Sequence, residues 1–309
     1  MIKRLLDVTA RDLTSYSRKD KLAAIRGSEG RTIASEMIAP AMPLLHDVSN
    51  PELAASQGAD IIILNVFDVL TPAVEAIPAD APDDVVRTIK RLTGRLVAVN
   101  LEPVDPDADL VTGAEFAAPG KPGRLATPET ARRAAELGVD AIMLTGNPGM
   151  GVTNASLARA IAATRAAAGA EVIIVAGKMH SAGSASEAGS AIIDDATISQ
   201  FAAAGADIIL FPAPGTVPGC HEALVRGWVE TAHRVGALTM TAIGTSQEGA
   251  DTDTIRALAL MAKMTGTDIH HLGDCGYYGI TLPENLVTYS LAIRGRRHTY
   301  RRMARSLLR

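Results

Sequence analysis

The sequence predicts a single-domain α/β protein in which eight parallel strands alternate with helices and close into a (β/α)8 barrel. Three observations support this fold class: eight short apolar runs, helix-like stretches between them, and a polar or glycine-rich segment after each run. The predicted strands are Thr32–Met37, Asp60–Val66, Leu96–Leu101, Asp140–Leu144, Glu171–Ala176, Asp207–Phe211, Leu238–Ile243 and Asp268–Leu272. We expect residues 1–309 to form one domain of this TIM-barrel type, with 1–29 as an N-terminal extension and 283–309 as a C-terminal helix and tail.

Capping residues and glycine stops predict one helix before the first strand and one after every strand. The predicted helices are Arg18–Ile25, Asn50–Gln57, Asp83–Thr93, Thr127–Leu137, Asn154–Ala168, Asp194–Ala204, Cys220–Val235, Thr252–Thr265 and Pro283–Ser306. Asn154 is the expected N-cap of its helix. The segment Glu102–Ala126 is a long predicted loop, and loops of this length often serve as lids.

The even-numbered strands share a Gly-X-Asp opening, so the repeating unit is (βα)₂. The four openings are Gly58–Asp60, Gly138–Asp140, Gly205–Asp207 and Gly266–Asp268. Each glycine ends the preceding helix, and each aspartate enters its strand at the N-terminal end. In barrels that end serves stability rather than chemistry, so we expect the four aspartates to be structural.

The composition argues against several classes of function. Hydrophobic residues make up 47% of the chain and charged residues 21%, which is enough for a large core. Aromatic residues make up 3% and the net charge is −4, so we expect no nucleic-acid partner. No apolar run is long enough to span a bilayer, and we expect no membrane association. The two cysteines, Cys220 and Cys275, suit a reduced, cytoplasmic location.

Polar side chains gather where the strands end, the face on which barrels carry their active sites. Glu36, Asn65 and Asn100 lie within or at the last step of apolar strands, where an unpaired polar group is costly. A polar pocket explains them better than ordinary loops do. The predicted substrate-binding residues are Asn65, Asn100, Thr145, Asn147, Gly215, Gly244, Thr245, Ser246, Gly273 and Gly276.

The predicted catalytic residues are Lys178, Glu102, Glu36, His180 and Asp274. Lys178 comes two residues after the fifth strand, at a position where desolvation can depress its pKa. We expect first that Lys178 stays charged and holds a substrate phosphate or carboxylate. The second reading is an ion pair with Glu102 or Glu36, and the third is a Schiff base.

A metal site is a further possibility at this face. Glu36, Glu102 and Asp274 are oxygen donors from three strands, and with Asp68 and His180 they are candidates for binding Mg²⁺ or Mn²⁺. The chain carries no zinc pattern of the HExxH or CxxC type and no nucleotide-cofactor fingerprint.

Two histidines follow one another on the eighth strand. Because His270 and His271 are consecutive, at most one of them faces the barrel interior.

Glycine-rich segments after the seventh and eighth strands are typical of phosphate-binding loops in barrels. Gly244-Thr245-Ser246 leads into the helix that begins at Thr252, and Gly273 and Gly276 follow the last strand. Gly146–Gly151 is a competing anion site. We therefore expect a small anionic substrate, a phosphorylated or carboxylated metabolite.

The last predicted helix is strongly basic. The cations of this helix and of the tail after it are Arg294, Arg296, Arg297, His298, Arg301, Arg302, Arg305 and Arg309. Cations suit the C-terminal end of a helix dipole. Together with Tyr289, Tyr300 and Leu307-Leu308, they predict docking on a neighbouring subunit, and hence a homo-oligomer, rather than nucleic-acid binding.

Several stretches, spread over nearly the whole chain, resemble an uncharacterised bacterial family of TIM-barrel proteins. They are Ser28–Thr32, Leu144–Gly149, Gly177–His180, Pro212–Gly219, Thr241–Asp251 and Arg294–Arg302. Members of that family carry the labels haloacid dehalogenase-like hydrolase or PEP phosphonomutase. The first label conflicts with Asp107-Ala108-Asp109, because Glu102–Pro106 separates this pair from the third strand. The second label implies a metal-assisted barrel that acts on a phosphorylated or carboxylated enol.

We expect a lyase, aldolase or isomerase that transfers a proton at a carbon beside a carbonyl group. Glu102 or Glu36 would be the base, and Lys178 would stabilise the enolate or fix the anion. Two alternatives stay open. One is a metal-dependent phosphohydrolase that uses Glu36, Glu102, Asp274 and His180, and the other is a non-catalytic barrel that binds a metabolite and regulates a partner.

Overall fold

Eight parallel strands close into a barrel in the order of the sequence, which confirms the predicted fold class. The computed structural model describes residues 2–105, 107–108 and 121–308. The strands are β1 Thr32–Ile38, β2 Ile61–Asn65, β3 Leu96–Leu101, β4 Ala141–Leu144, β5 Ile173–Gly177, β6 Ile208–Pro212, β7 Leu238–Ile243 and β8 Ile269–Leu272. Pairing of β8 with β1 closes the ring, with Thr32 opposite Ile269. The strand bounds differ from the predicted ones by at most two residues.

A helix follows every strand, and two helices precede the barrel. The helices are α1 Ala10–Ser15, α2 Arg18–Arg26, α3 Asn50–Ser56, α4 Val85–Thr93, α5 Pro128–Leu137, α6 Asn154–Ala168, α7 Asp195–Ala204, α8 Glu222–Arg234, α9 Thr252–Met264 and α10 Pro283–Met303. The prediction missed α1. The predicted N-cap Asn154 is also wrong, because the Thr153 side chain accepts the Ser156 N–H and caps α6.

The predicted lid lies mostly outside the described residues, which omit 106 and 109–120. Asp109 of the aspartate pair lies among them. The described part of this segment returns to the barrel at Arg124, whose carbonyl oxygen accepts the Glu102 N–H at 2.8 Å. Arg124 is thereby fixed beside the end of β3.

Strand side chains alternate between two apolar cores. Val175 points into the barrel with Ile173, whereas Ile174 and Ala176 point outward against the helices. Ile25 of α2 belongs to the inner core, so the leading helix closes the bottom of the barrel as predicted. The open end is the C-terminal end of the strands.

The four aspartates at the strand starts are structural, as predicted. Each accepts the backbone N–H of a residue near the start of the preceding strand, at 2.8 to 2.9 Å. The four acceptor–donor pairs are Asp60 with Ile33, Asp140 with Val97, Asp207 with Ile174 and Asp268 with Thr239. Each carboxylate also has a cationic or histidine partner. The same hydrogen bond from a strand N–H to an aspartate therefore fixes the register of neighbouring strands at four places around the barrel.

The basic C-terminal helix docks on its own barrel. Arg294 and Arg302 of α10 each lie 2.6 Å from an oxygen of the buried Asp60 carboxylate. Tyr289 is fully buried and lies 2.9 Å from Nδ1 of His270. These residues are therefore not free to contact a second subunit. Contact through the exposed Tyr300 and Leu308 stays a prediction.

Among the described residues, no helix combines the length and the apolar character needed to cross a membrane.

Candidate active site

A cavity of about 340 Å³ opens at the C-terminal ends of the strands. It brings together residues from seven of the eight strand ends. The predicted site residues that line it are Glu36, Asn65, Asn100, Thr145, Asn147, His180, Gly244, Ser246, Gly273, Asp274 and Gly276. Arg124, Met179 and Glu248 also line the cavity, and the sequence interpretation did not select them.

Lys178 is not part of this cavity lining. Its ammonium group forms an ion pair with Glu187, and the Lys178 side chain is 1% exposed. Glu187 also accepts the N–H of Asn154 at 2.9 Å, at the start of α6. Burial lowers the pKa of Lys178, and the contact with Glu187 opposes that shift. The expected ion pair of Lys178 with Glu102 or Glu36 is wrong. The partner of Lys178 is Glu187, and the pair lies behind the barrel wall.

A Schiff base at Lys178 is therefore not expected. Incubation with carbonyl compounds and borohydride should leave Lys178 unmodified in the folded protein, and peptide mass spectrometry measures this. The exposed Lys121 serves as an internal control for general reductive alkylation. A substrate-dependent adduct on Lys178 would contradict the assigned position of its side chain.

Glu102 lies just behind the cavity, and both of its carboxylate oxygens accept hydrogen bonds. Its Oε2 accepts a hydrogen bond from Arg124 at 3.0 Å, and its Oε1 accepts the Asn147 side-chain amide at 2.6 Å. Both oxygens therefore hold lining residues in place. A carboxylate committed in this way is a poor base, so Glu102 positions Arg124 and Asn147.

The other predicted residues outside the lining pack elsewhere. A Cβ at Gly215 would lie 2.9 Å from Met261, so this residue packs against α9. The Thr245 hydroxyl donates to Gln247 Oε1 at 2.7 Å and points away from the cavity. Asp68 accepts the Leu70 N–H at 3.0 Å and shapes its own loop.

Three asparagines form a hydrogen-bonded amide cluster in the cavity wall. The Asn65 amide nitrogen donates to Asn147 Oδ1 and to Asp274 Oδ2, both at 2.9 Å. The Asn100 amide nitrogen donates to Asn65 Oδ1 at 3.1 Å. Asn100 Oδ1 is buried and has no hydrogen-bond partner in the described part of the chain. This oxygen is available to accept a substrate hydroxyl or amine.

Glu36 and His271 form a buried pair in the barrel interior. His271 Nε2 lies 3.0 Å from Glu36 Oε2, and both side chains are at most 4% exposed. Burial raises the pKa of Glu36, and nearby Asp274 and Glu102 add to this, while His271 opposes it. His270 points outward to Tyr289, so one histidine of the pair faces inward, as the strand period requires.

Glu248 is the titratable group best placed for proton transfer. It follows β7, is 2% exposed and lines the cavity. Its Oε1 accepts the Cys275 N–H at 3.0 Å, whereas Oε2 has no hydrogen-bond partner among residues 2–105, 107–108 and 121–308. Burial raises the pKa of Glu248 to about 7, and Asp274 contributes in the same direction. A base with this pKa is matched to neutral pH.

His180 is a neutral imidazole at the cavity wall. Its Nδ1 accepts the Ala182 N–H at 3.0 Å, so the ring hydrogen resides on Nε2. Burial lowers the pKa of His180 to about 4, and the charge of Lys178 adds to the shift. His180 can thus donate a hydrogen bond at neutral pH without carrying a charge.

Close packing and strained turns shape the last two loops. A Cβ at Gly244 would lie 2.0 Å from Met179 Sδ, so glycine is required at this position. Ser246 and Cys275 adopt φ of 67° and 55°, which is unusual for residues with a side chain. The Asp251 carboxylate caps the N–H groups of Asp253 and Thr254 at the start of α9, which does not favour a phosphate there, and phosphate binding by this loop stays a prediction.

The expected carboxylate metal site does not form. Among the described residues, no group of three or more His, Cys, Asp or Glu side chains is arranged to hold a metal ion. Glu102 is occupied by Arg124, Glu36 faces His271, and Asp274 accepts hydrogen bonds from Asn65 and Gly276. These residues do not fit a Mg²⁺ or Mn²⁺ site.

Known structures share the barrel fold at low sequence identity. A "putative phosphonomutase" from Burkholderia cenocepacia is 20% identical, with a TM-score of 0.50 over 84% of this chain and 94% of that chain. The carboxyl transferase domain of Rhizobium etli pyruvate carboxylase with 3-bromopyruvate is 12% identical, with a TM-score of 0.53 over 95% of this chain and 51% of that chain. No protein of curated function matches the chain.

These likenesses concern the fold alone. They agree with the phosphonomutase-like architecture suggested by the resemblance, whereas the haloacid dehalogenase label finds no support in them. A family model described as "Domain of unknown function (DUF7916)" matches residues 6–309. The chain therefore belongs to the DUF7916 family.

Proposed function

We propose that this protein is a lyase or isomerase that moves a proton at a carbon beside the carbonyl group of a small carboxylate metabolite. The observation that carries the proposal is Glu248, a buried residue of the cavity lining whose carboxyl group has a pKa of about 7 and one oxygen without a hydrogen-bond partner among the described residues. Such a group can take up and return a proton at neutral pH. It replaces Glu36 and Glu102 as the proposed base.

The charge of the cavity favours a carboxylate over a phosphate. Glu36, Glu248 and Asp274 are the acidic residues in its lining, and Arg124 is the only arginine or lysine there among the described residues. A phosphate dianion would meet more negative than positive groups. One substrate carboxylate can instead pair with the donors of Arg124 that Glu102 leaves free.

The proposed reaction begins when the Glu248 carboxylate removes the proton beside the substrate carbonyl group. The C–H electron pair becomes the carbon–carbon double bond, and the carbonyl π pair moves onto oxygen to give an enolate. Neutral His180 donates a hydrogen bond from Nε2 to that oxygen. Return of the proton to a different atom completes an isomerisation. In a lyase reaction, the enolate re-forms the carbonyl group, its carbon–carbon electron pair forms the new double bond to the β-carbon, and the leaving group departs with its bonding pair and takes the proton from Glu248.

The direct test is deuterium exchange. Small 2-oxo and 3-oxo carboxylates are incubated with the protein in D₂O, and NMR follows loss of the proton beside the carbonyl group. Pyruvate belongs in the panel because the Rhizobium etli barrel was also solved with it. Sugar phosphates without a carboxylate form the comparison set. Exchange confined to the comparison set would contradict the substrate class, and exchange with no compound would contradict the proposal.

Arg124→Gln should mainly weaken substrate binding. Loss of one charged hydrogen bond is worth roughly 1.5–3 kcal/mol, so we expect KM for the carboxylate to rise about 10- to 100-fold while kcat changes much less. Steady-state kinetics measures the split. Arg132→Gln is the matched control, because Arg132 is exposed on α5 and does not line the cavity. An unchanged KM in Arg124→Gln would remove Arg124 from the binding role.

A further inference from the structure

A second cavity, of about 400 Å³, lies at the opposite end of the barrel from the candidate active site. It is formed by α1, by the end of α4 with the first residue before β3, and by the residues after α10. Its charged lining consists of Arg11, Lys90, Arg91, Arg95 and Asp140. Four cationic side chains therefore surround one carboxylate in a chain whose net charge is −4.

The single carboxylate is already neutralised. Asp140 pairs with Lys21 at 2.8 Å and with Lys90 at 2.9 Å. Arg91 donates to the neutral Thr88 hydroxyl at 2.8 Å. None of the three arginines forms an ion pair with a carboxylate within the part of the chain that the structure describes, although the buried Asp60 carboxylate acts on Arg95 electrostatically. Asp60 is already shared with Arg294 and Arg302, so the cavity wall keeps an excess of positive charge.

Arg95 is the most unusual member of this group, because it is only 5% exposed. Its guanidinium donates to two backbone carbonyl oxygens, those of Arg302 at 2.8 Å and Ala55 at 3.2 Å. Its Nε has no hydrogen-bond partner among the described residues. Burial lowers the pKa of Arg95 to about 9, and the charge of Arg302 adds to this. Asp60 opposes this shift, but it pairs directly with Arg294 and Arg302, so Arg95 is a buried cation without an anion of its own.

We propose that this cavity binds a small anion that carries two or more negative charges, at a site separate from the barrel mouth. Arg95 fixes the anion from the inner wall, and Arg11 and Arg91 close on it from the rim. A phosphate compound and a polycarboxylate share the required chemistry. The ligand would stabilise the fold, because it neutralises charge that the native state alone buries.

Isothermal titration calorimetry with inorganic pyrophosphate and with citrate, at low ionic strength, tests the proposal. We expect binding of at least one of the two ligands. Preference for pyrophosphate would identify phosphate compounds as the ligand class, and preference for citrate would identify polycarboxylates. Absence of binding of either ligand at millimolar concentration would overturn the proposal.

The decisive variant is the double substitution Arg11→Gln and Arg91→Gln. Both residues are exposed, so the fold should be kept. Loss of two charged hydrogen bonds should weaken binding by about 100-fold or more. Arg132→Gln removes a comparable charge elsewhere and should leave the affinity unchanged. Equal affinity of the wild type and the double variant, or loss of binding in Arg124→Gln at the barrel mouth, would assign the anion to another site and overturn the proposal.

Discussion

Replacing Glu248 by Gln is expected to lower kcat for proton exchange by about 10²- to 10⁴-fold, the usual contribution of a positioned general base. Gln keeps the shape of the side chain and still accepts the Cys275 N–H, but it cannot take up a proton. In the wild type, kcat/KM should rise with pH and level off above about pH 7, because the base must be ionised. Deuterium exchange followed by NMR measures both effects.

Glu129→Gln is the matched control for this substitution. Glu129 lies exposed in the first turn of α5 and is not part of the cavity, so exchange should keep its wild-type rate and pH profile. Full activity of Glu248→Gln would exclude Glu248 as the base. If kcat/KM instead rises well below pH 7, and does so in Glu248→Gln as well, another group would be the one that takes up the proton.

The same variant has a second readout that needs no substrate. The folded pKa of Glu248, about 7, lies above the ordinary value of 4.5, so the folded state binds this proton more tightly than the unfolded state. The resulting stabilisation is present at low pH and is lost as pH rises through 7. Relative to Glu248→Gln, the free energy of unfolding of the wild type should therefore fall by about 2 kcal/mol between about pH 5.5 and 8.5. Urea titrations at several pH values measure it.

The sequence was sufficient for the barrel and for much of its mouth, because both depend on local periodicity. Strand side chains alternate with a period of two, and the inner core contains Ala34, Ile63 and Ala98. Two residues after each of these come Glu36, Asn65 and Asn100, which line the cavity. A polar residue at an inward position of an apolar strand therefore indicated correctly that its side chain lines the cavity.

The same period explains why Lys178 was misplaced. In β5, Val175 points inward and Ala176 outward, so Lys178 continues the outward set while Met179 returns to the cavity. Thr245 comes two residues after Ile243, which points outward. Its predicted role in substrate binding is not met for the same reason. Closeness to a strand end is therefore not sufficient, because the parity of the position decides which way a side chain points as long as the chain stays extended. His180 lies further along the loop, no longer follows this period and lines the cavity.

Glu248 and Arg124 could not have been selected by periodicity, because both lie in loops. Glu248 returns to the cavity only because Ser246 adopts a left-handed conformation and a 3₁₀ turn, Gln247–Gly249, follows it. Arg124 is brought in by hydrogen bonds to Glu102 from more than twenty residues away. Such loop geometry depends on tertiary contacts that one sequence does not reveal.

Asp60→Ala is expected to lower the free energy of unfolding by about 3–5 kcal/mol, because breaking a buried ion pair leaves an uncompensated charge behind. Asp60 is 1% exposed and lies 2.6 Å from both Arg294 and Arg302. Although burial alone raises the pKa of Asp60, the two arginines outweigh it and hold the pKa below its usual range. Its contribution is thus present at neutral pH and is lost in acid. Urea unfolding measures the change.

The fourfold repeat supplies a control that a single ion pair would not. Asp268 occupies the same position before β8 and accepts the Thr239 N–H at 2.9 Å, as Asp60 accepts that of Ile33. Its partner is His233, whose side chain is 41% exposed. Asp268→Ala therefore removes the register bond without leaving a buried arginine, and a cost of about 1–3 kcal/mol is expected. Equal losses would mean that the strand bond dominates at both positions. A larger loss for Asp60→Ala would show that the buried arginines of α10 depend on this carboxylate for their place beneath the barrel.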